Sequence, residues 1–173
     1  MAPLVQFLGP PPRIAWLLLI LAVGIVGAAW AFEFAGYAPC HLCLKQREPW
    51  YAAIGLAALA AAVPFGMRQV PWQTVAGLLA FVALALGYNA WLGVYHAGVE
   101  WAWWQGPPEC AVTAINLSGD FSNLNGRNIP RCTEAAWRLF GVSMAGYNAL
   151  ASAAGAALAL WGVWRSYEER QTR

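Results

Sequence analysis

Four cysteines carry the covalent chemistry open to this chain, and their spacing sorts them into two pairs. Cys40-His41-Leu42-Cys43 is a C-x-x-C, a spacing that permits a disulfide in a small ring. Such pairs are often redox-active, because a thiolate can be stabilised beside its neighbour. The same spacing is half of a zinc site. If the segment is helical, Arg47 lies one turn from Cys43 on the same face. A guanidinium there favours a thiolate at Cys43 and stabilises negative charge on a nearby oxygen. Lys45 adds positive potential, and the plainer role for Arg47 is an interfacial residue snorkelling to water. Pro49 bears on this geometry. It either sits in the first turn of the helix, after Glu48, or kinks a helix that starts earlier, and the first case weakens the Cys43–Arg47 spacing.

Cys110 and Cys132 lie far apart in a polar stretch containing Ser118, Gly119, Asn123, Asn125 and Gly126. Pairing them closes a long loop, as a structural bridge would. The functional reading is a second redox pair that exchanges with the first through mixed disulfides. The small polar residues suit exchange by implying mobility, and Pro107-Pro108 make an extended lead-in to Cys110. Four cysteines allow three connectivities, so sequence leaves the resting pattern open. The two histidines are His41 and His96. Haem ligation would want histidines on facing helices in the apolar region. His96 reads instead as a hydrogen-bond or proton partner for a quinone, or as an interfacial polar residue.

The elements that position these residues are membrane helices. Charged residues are 10% of the 173, hydrophobic residues 60%, and there are 11 Trp; soluble domains carry about a quarter charged residues. The apolar residues come in blocks of about 20, as a bilayer core demands of a helix. Spans are expected at about 14–34, 42–64, 72–95 and 142–164, with a tight turn from Phe65 to Pro71. Helices satisfy their own backbone in lipid, and the short alternating segments of a membrane barrel are absent. A net charge of +2 gives no footprint for nucleic acid. Ala29-Trp30-Ala31 has the form of a signal cleavage site, but the apolar run before it is longer than a signal peptide's, so it is expected to remain as a span.

An even number of spans places both termini on one side, and the loops at about 35–48 and 96–141 on the other. Lys and Arg divide equally between the two sides and do not orient the chain. The cysteines do, because all four fall in the two same-side loops and disulfides persist in an oxidising space such as the periplasm. Both termini are therefore expected in the cytoplasm. Glu100-Trp101-Ala102-Trp103-Trp104 reads as an element in the headgroup layer that holds the long loop near the C-x-x-C.

Four spans, Pro39-Cys40-His41-Leu42-Cys43-x-x-x-Arg47 opening the second, and a Cys110/Cys132 pair in the next outer loop together resemble the DsbB family of bacterial inner-membrane disulfide bond formation proteins. The resemblance covers nearly the whole chain. It implies an all-α four-transmembrane-helix bundle, a single membrane domain over 1–173, in the inner membrane. It implies a quinone, ubiquinone or menaquinone, beside Cys43, with Arg47 stabilising both and His96 a less secure match to a family histidine. It implies a partner, a periplasmic thioredoxin-fold DsbA-like oxidase, that forms its mixed disulfide with Cys110. Cys132 would resolve that disulfide, Cys40 would link to the outer loop, and Cys40–Cys43 with Cys110–Cys132 becomes the favoured resting pattern. Pro49 and the long stretch between Cys110 and Cys132 are local departures. Two rivals stand beside this reading. A small helical bundle like the vitamin K epoxide reductase family carries its C-x-x-C near the end of its last core helix, where this chain has no cysteine. The other is a non-enzymatic membrane protein whose outer loops are braced by a four-cysteine zinc site or by inert disulfides.

Overall fold

The computed structural model describes residues 11–66, 71–110 and 131–171. Residues 67–70 of the expected tight turn, and the Ser118–Gly126 stretch expected to be mobile, lie outside the described residues. Four long helices dominate: α1 (Pro11–Phe34), α2 (His41–Gly66), α3 (Trp72–Glu100) and α4 (Met144–Gln171). They contain 24, 26, 29 and 28 residues, so the shortest is about 36 Å long and exceeds a hydrocarbon core of about 30 Å. By length and composition, α1 and α3 each pass as a membrane span. A 3-10 turn (Pro108–Cys110) and a two-strand ribbon, β1 (Arg138–Leu139) and β2 (Val142–Ser143), precede α4.

Local chemistry sets the helix ends that matter. Prolines at the first two positions of α1 suit a helix start, where their missing N–H is no loss. Its C-terminus closes in a Schellman motif: Tyr37 donates to the Phe32 carbonyl at 3.0 Å and Gly36 to Glu33 at 3.0 Å. Gly36 takes the left-handed φ of +99° that this cap requires. The Phe32 and Tyr37 rings meet at 5.8 Å, the apolar contact that accompanies the motif. The end of α3 repeats the pattern with Ala102 in the glycine's place, at φ +57°. A left-handed alanine costs about 1–2 kcal/mol.

α1 starts earlier, at Pro11, and α4 runs on to Gln171, past the expected spans, and two boundaries near the cysteines also differ from the sequence expectation. α3 continues past Tyr95 to Glu100, so His96 and Glu100 are helical rather than in a loop. α4 begins at Met144 rather than Val142, because Arg138–Leu139 pair antiparallel with Val142–Ser143. Phe140 and Gly141 join the strands with φ of +49° and +80°, the double left-handed pattern of a tight hairpin.

Small residues let the helices approach closely, as membrane bundles favour. The core is rich in buried alanine, with Ile14, Leu18, Leu79, Val82 and Leu86 filling between Ala15, Ala22, Ala53, Ala57 and Ala159. At the seam of α3 and α4, a Cβ on Gly93 would stand 2.9 Å from the Ala149 backbone. In the same seam Asn89 donates to Ser152 at 3.0 Å, a buried polar tie between helices. On its outer face α3 carries a stacked ladder of rings, exposed but for the half-buried Tyr95: Tyr88–Trp91 at 5.9 Å, Trp91–Tyr95 at 5.9 Å and Tyr95–Trp104 at 6.0 Å. Trp104 closes the ladder by lying over Gly98 and donating its indole N–H to the Tyr95 carbonyl at 2.8 Å.

Candidate functional site

The C-terminal ends of α1 and α3 and the N-terminal ends of α2 and α4 meet at one end of the bundle, and the cysteines collect there. Cys40, Leu42, Leu92, Val99, Cys110 and Cys132 form one buried cluster, with Cys43 and Tyr95 packed against it. Cys110 and Cys132 are joined in a disulfide across a sequence separation of 22. Cys40 and Cys43 are unbonded to each other, unlike the favoured pattern, and both are free thiols.

Cys40 is the N-cap of α2. Its carbonyl accepts from Leu44 at 3.1 Å, and its sulfur accepts the Cys43 backbone N–H at 3.2 Å, the role a serine or aspartate oxygen plays elsewhere. The C-x-x-C therefore occupies the first helical turn, where orphan N–H groups and the helix dipole favour negative charge. Two effects compete at Cys40. The hydrogen bond to the Cys43 sulfur, followed by burial, raises its pKa well above the usual thiol range. Backbone N–H groups of Cys43 and Leu42 pull the other way and lose. Cys40 is thus held as the thiol, hydrogen-bonded to its neighbour.

The early start of α2 settles the Pro49 question. The helix begins at His41, so Pro49 lies inside it and removes the bond that the Lys45 carbonyl would otherwise accept. Cys43, Gln46, Arg47 and Trp50 then follow one another at helical spacing along one face. All four line a cavity of about 250 Å³, together with Cys40, His96 and Glu100 and with apolar walls from Ile25, Val26 and Phe32. Arg47 is fixed by α1: its guanidinium donates to Glu33 at 2.6 Å and to the Ala29 carbonyl at 3.3 Å. The Arg47 side chain is 15% exposed, so it is too buried to serve as a snorkelling residue. Lys45 points elsewhere, to Glu48 at 2.9 Å on the exposed surface.

His96 is buried, not interfacial. Its Nε2 lies 3.6 Å from Cys40 Sγ, and its Nδ1 lies 2.8 Å from Gln46 Nε2. Glu100, one turn on, brings a carboxylate oxygen to 3.8 Å from the same Nε2. Gln46 accepts from Asn148 Nδ2 at 2.7 Å, and Asn148 accepts from Trp50 Nε1 at 2.7 Å. The sequence analysis assigns no role to Gln46, Trp50, Asn148 or Glu33, and it puts Glu100 in a headgroup-layer element, whereas the structure places it at the end of α3 beside His96. His41, the other histidine, is exposed.

The site thus holds an oxidised pair packed against a reduced pair, beside a largely apolar cavity with the guanidinium groups of Arg47 and Arg131 and the imidazole of His96 on its wall. Such a cavity suits a flat apolar molecule with a few polar atoms. A four-cysteine zinc centre needs four thiolates, and the Cys110–Cys132 bond occupies two of the sulfurs. Cys40, Cys43 and His96 remain as a trio whose ligand atoms lie within 4.8 Å of one another.

Comparison with known proteins agrees. The sequence model of the family described as "Disulfide bond formation protein DsbB" matches residues 12–162. Disulfide bond formation protein B of Azoarcus sp. (strain BH72) is 28% identical over 156 residues, covering 85% of this chain and 86% of that protein. Disulfide bond formation protein B of Cupriavidus necator (strain ATCC 17699) is 33% identical over 84 residues, covering 48% and 47%. No solved structure matches.

Proposed function

We infer the chemistry from kinship and geometry together: the chain belongs to the DsbB family, helical membrane proteins of disulfide bond formation. The finer reading is a membrane thiol:quinone oxidoreductase that reoxidises a periplasmic DsbA-like dithiol oxidase. The observation that carries it is the packing of both cysteine pairs into one cluster beside the cavity. Exchange between the pairs needs sulfurs that can meet, and the second pair needs an electron acceptor within reach.

The sequence of events conserves electrons. The reduced partner's thiolate attacks Cys110; Cys132 leaves as a thiolate, and the partner's second thiol displaces Cys110 to complete its own disulfide. The electrons then sit on Cys110 and Cys132 as two thiols. Cys132 attacks the oxidised first pair at Cys40, Cys43 leaves, and Cys110 restores the second disulfide. That leaves Cys40 and Cys43 reduced with Cys110–Cys132 closed, the redox state of this structure. The quinone is a substrate that accepts two electrons and two protons as Cys40 and Cys43 lose theirs and form one S–S bond.

The chain's own residues supply the setting for that last step. The cavity takes an apolar ring, and Arg47 offers further N–H donors beyond the two it spends on Glu33 and Ala29, where a quinone oxygen gains negative charge. His96 stands on the same wall. Ubiquinone and menaquinone both fit this description. A substrate soluble only in lipid explains why the catalyst is mostly membrane helix. In this reading the site end of the bundle faces the periplasm and both termini face the cytoplasm.

The test is direct. Purified protein in detergent, given a reduced thioredoxin-fold oxidase and ubiquinone or menaquinone, is expected to form quinol stoichiometrically with partner disulfide. Absence of quinol with all four cysteines intact would overturn the reading.

A further inference from the structure

One hydrogen-bond chain, half-buried at Asn148 and buried from Gln46 on, crosses three helices and ends on a cysteine sulfur: Trp50, Asn148, Gln46, His96, Cys40. Its direction follows from its first member. An indole N–H donates and cannot accept. Asn148 must therefore turn its carbonyl oxygen to Trp50, which leaves its NH₂ for Gln46. Gln46 must then present its oxygen to Asn148 and its NH₂ to His96. His96 Nδ1 faces a donor, so it must be the unprotonated, accepting nitrogen. In the neutral ring the proton then resides on Nε2. The surroundings agree: Nε2 faces Cys40 Sγ at 3.6 Å, whose own proton goes to Cys43, and Glu100 Oε1 at 3.8 Å, both able to accept, and the Cys132 backbone also accepts from the ring. The amide orientations thus follow link by link from the indole, the donor-only group at the head of the chain.

We propose that Trp50, Asn148 and Gln46 are positioning residues that set His96 in its Nε2–H tautomer, so that the ring serves Cys40 as a hydrogen-bond donor and not as a base or a metal ligand. The inference deepens the redox reading of Cys40 but rests on geometry that exists whether or not a quinone is the acceptor. Two consequences follow. A donor held on Cys40 stabilises negative charge on that sulfur whenever the pair is opened or closed by exchange, without removing its proton at rest. The same proton occupies the nitrogen that would have to bind a metal at Cys40, Cys43 and His96, because a metal-bound histidine needs a lone pair there and a donor at the other nitrogen. The three-ligand cluster is thereby kept from becoming a zinc site.

The chain can be reversed by changing one atom remote from the histidine. Asn148→Asp offers Trp50 an acceptor as before, but now presents a second acceptor to Gln46. Gln46 must turn its NH₂ to residue 148 and its oxygen to His96, which requires a proton on Nδ1. Gln46→Glu does the same one link closer. Both substitutions preserve shape. The experiment is 15N-histidine NMR on the reduced, full-length protein in detergent, above the pH at which an ordinary histidine is charged, with His96→Gln used to tell the His96 signals from those of His41. The wild type is expected to show Nε2–H with a bare Nδ1, and both variants to gain a proton on Nδ1. Alkylation of Cys40 by iodoacetamide is expected to rise about tenfold in both variants, since Cys40 then faces either a base or a charged ring.

Nδ1–H in the wild-type protein would overturn the proposal, and so would an unchanged tautomer in Asn148→Asp. Retention of one zinc per reduced wild-type chain after dialysis against zinc chloride and then buffer would also overturn it. Failure of quinol formation with the tautomer as described would instead strike the quinone reading and leave this one standing. If a variant does not fold, the wild-type spectrum alone still decides.

Discussion

Cys40 and Cys43 ride on the first turn of a long helix, whereas Cys110 and Cys132 are carried by a short 3-10 turn and a loop and are bonded to each other. Around the helical pair, backbone N–H groups, an imidazole and a guanidinium lie on named neighbours at fixed distances. Around the loop pair the surroundings are chiefly apolar: Leu42, Leu92 and Val99. Under the proposed function, the difference separates two tasks. A pair that must hand electrons to an acceptor in the bilayer is tuned by fixed charges and donors. A pair that must first meet another protein and then return needs reach, and its bond is protected by burial when it is home.

Cysteine substitutions break this comparison most severely. Cys43→Ser is expected to lower quinol formation more than about a thousandfold with any donor, as loss of a nucleophile does. Cys110→Ser is expected to lose turnover with the protein partner alike, yet to keep dithiothreitol-driven quinol formation near the wild-type rate. Equal loss in both assays would show that the pairs are not divided by task. Arg47→Met comes next. A fall of about a hundredfold in quinol formation is expected, on the scale of losing one preorganised electrostatic group. The rate of partner oxidation by the Cys110–Cys132 disulfide in a single turnover without quinone should stay unchanged.

Selective alkylation sharpens the contrast within the helical pair. Because its bond to Cys43 and its burial raise the Cys40 pKa, less than half of Cys40 is thiolate at the ordinary thiol value of 9.0. Iodoacetamide at that pH should mark Cys43 first, as peptide mass mapping would show; prior labelling of Cys40 would refute the assignment. Gly93→Ala acts on neither pair in particular. Its Cβ would press on the Ala149 backbone, so α3 and α4 must separate, at about 1–3 kcal/mol, seen as a lower thermal midpoint in detergent. Smallest is Ala102→Gly, which relieves a left-handed alanine and should raise the midpoint by the equivalent of about 1 kcal/mol.

The helices and the four sulfurs were legible because they rest on long-wavelength signals: apolar blocks, and residues that have few uses other than covalent ones. Arg47 was legible from a single helical turn counted from Cys43. The rest of the polar wall was not, although a cue existed. Gln46 and Asn148 are amides inside apolar spans, and Glu33 is a carboxylate at the end of another, each too costly to leave there without a partner. What the sequence does not hold is who that partner is. Gln46 and Asn148 meet across two helices, and Trp50 reads as one more apolar residue until its N–H is seen to start the chain. The position of His96 was misjudged for a local reason. The apolar block fades near Tyr95, but the helix continues to a cap built around Ala102, a residue without the usual glycine signature.

The aromatic ladder on α3 gives the site a fixed altitude. Tyr88 to Tyr95 covers about 10 Å of helix rise, more than the thickness of one headgroup layer, and rings of this kind settle at that boundary. His96 follows Tyr95 directly, and its links to Gln46 and Asn148 carry the same height to α2 and α4. A thicker or thinner bilayer should therefore leave the cysteine end level with its surface. The mismatch would be taken up at the opposite end, where Trp72 packs on Tyr167 under Arg170, and the redox machinery would keep its depth while the far end of the bundle tilts or snorkels to meet the lipid.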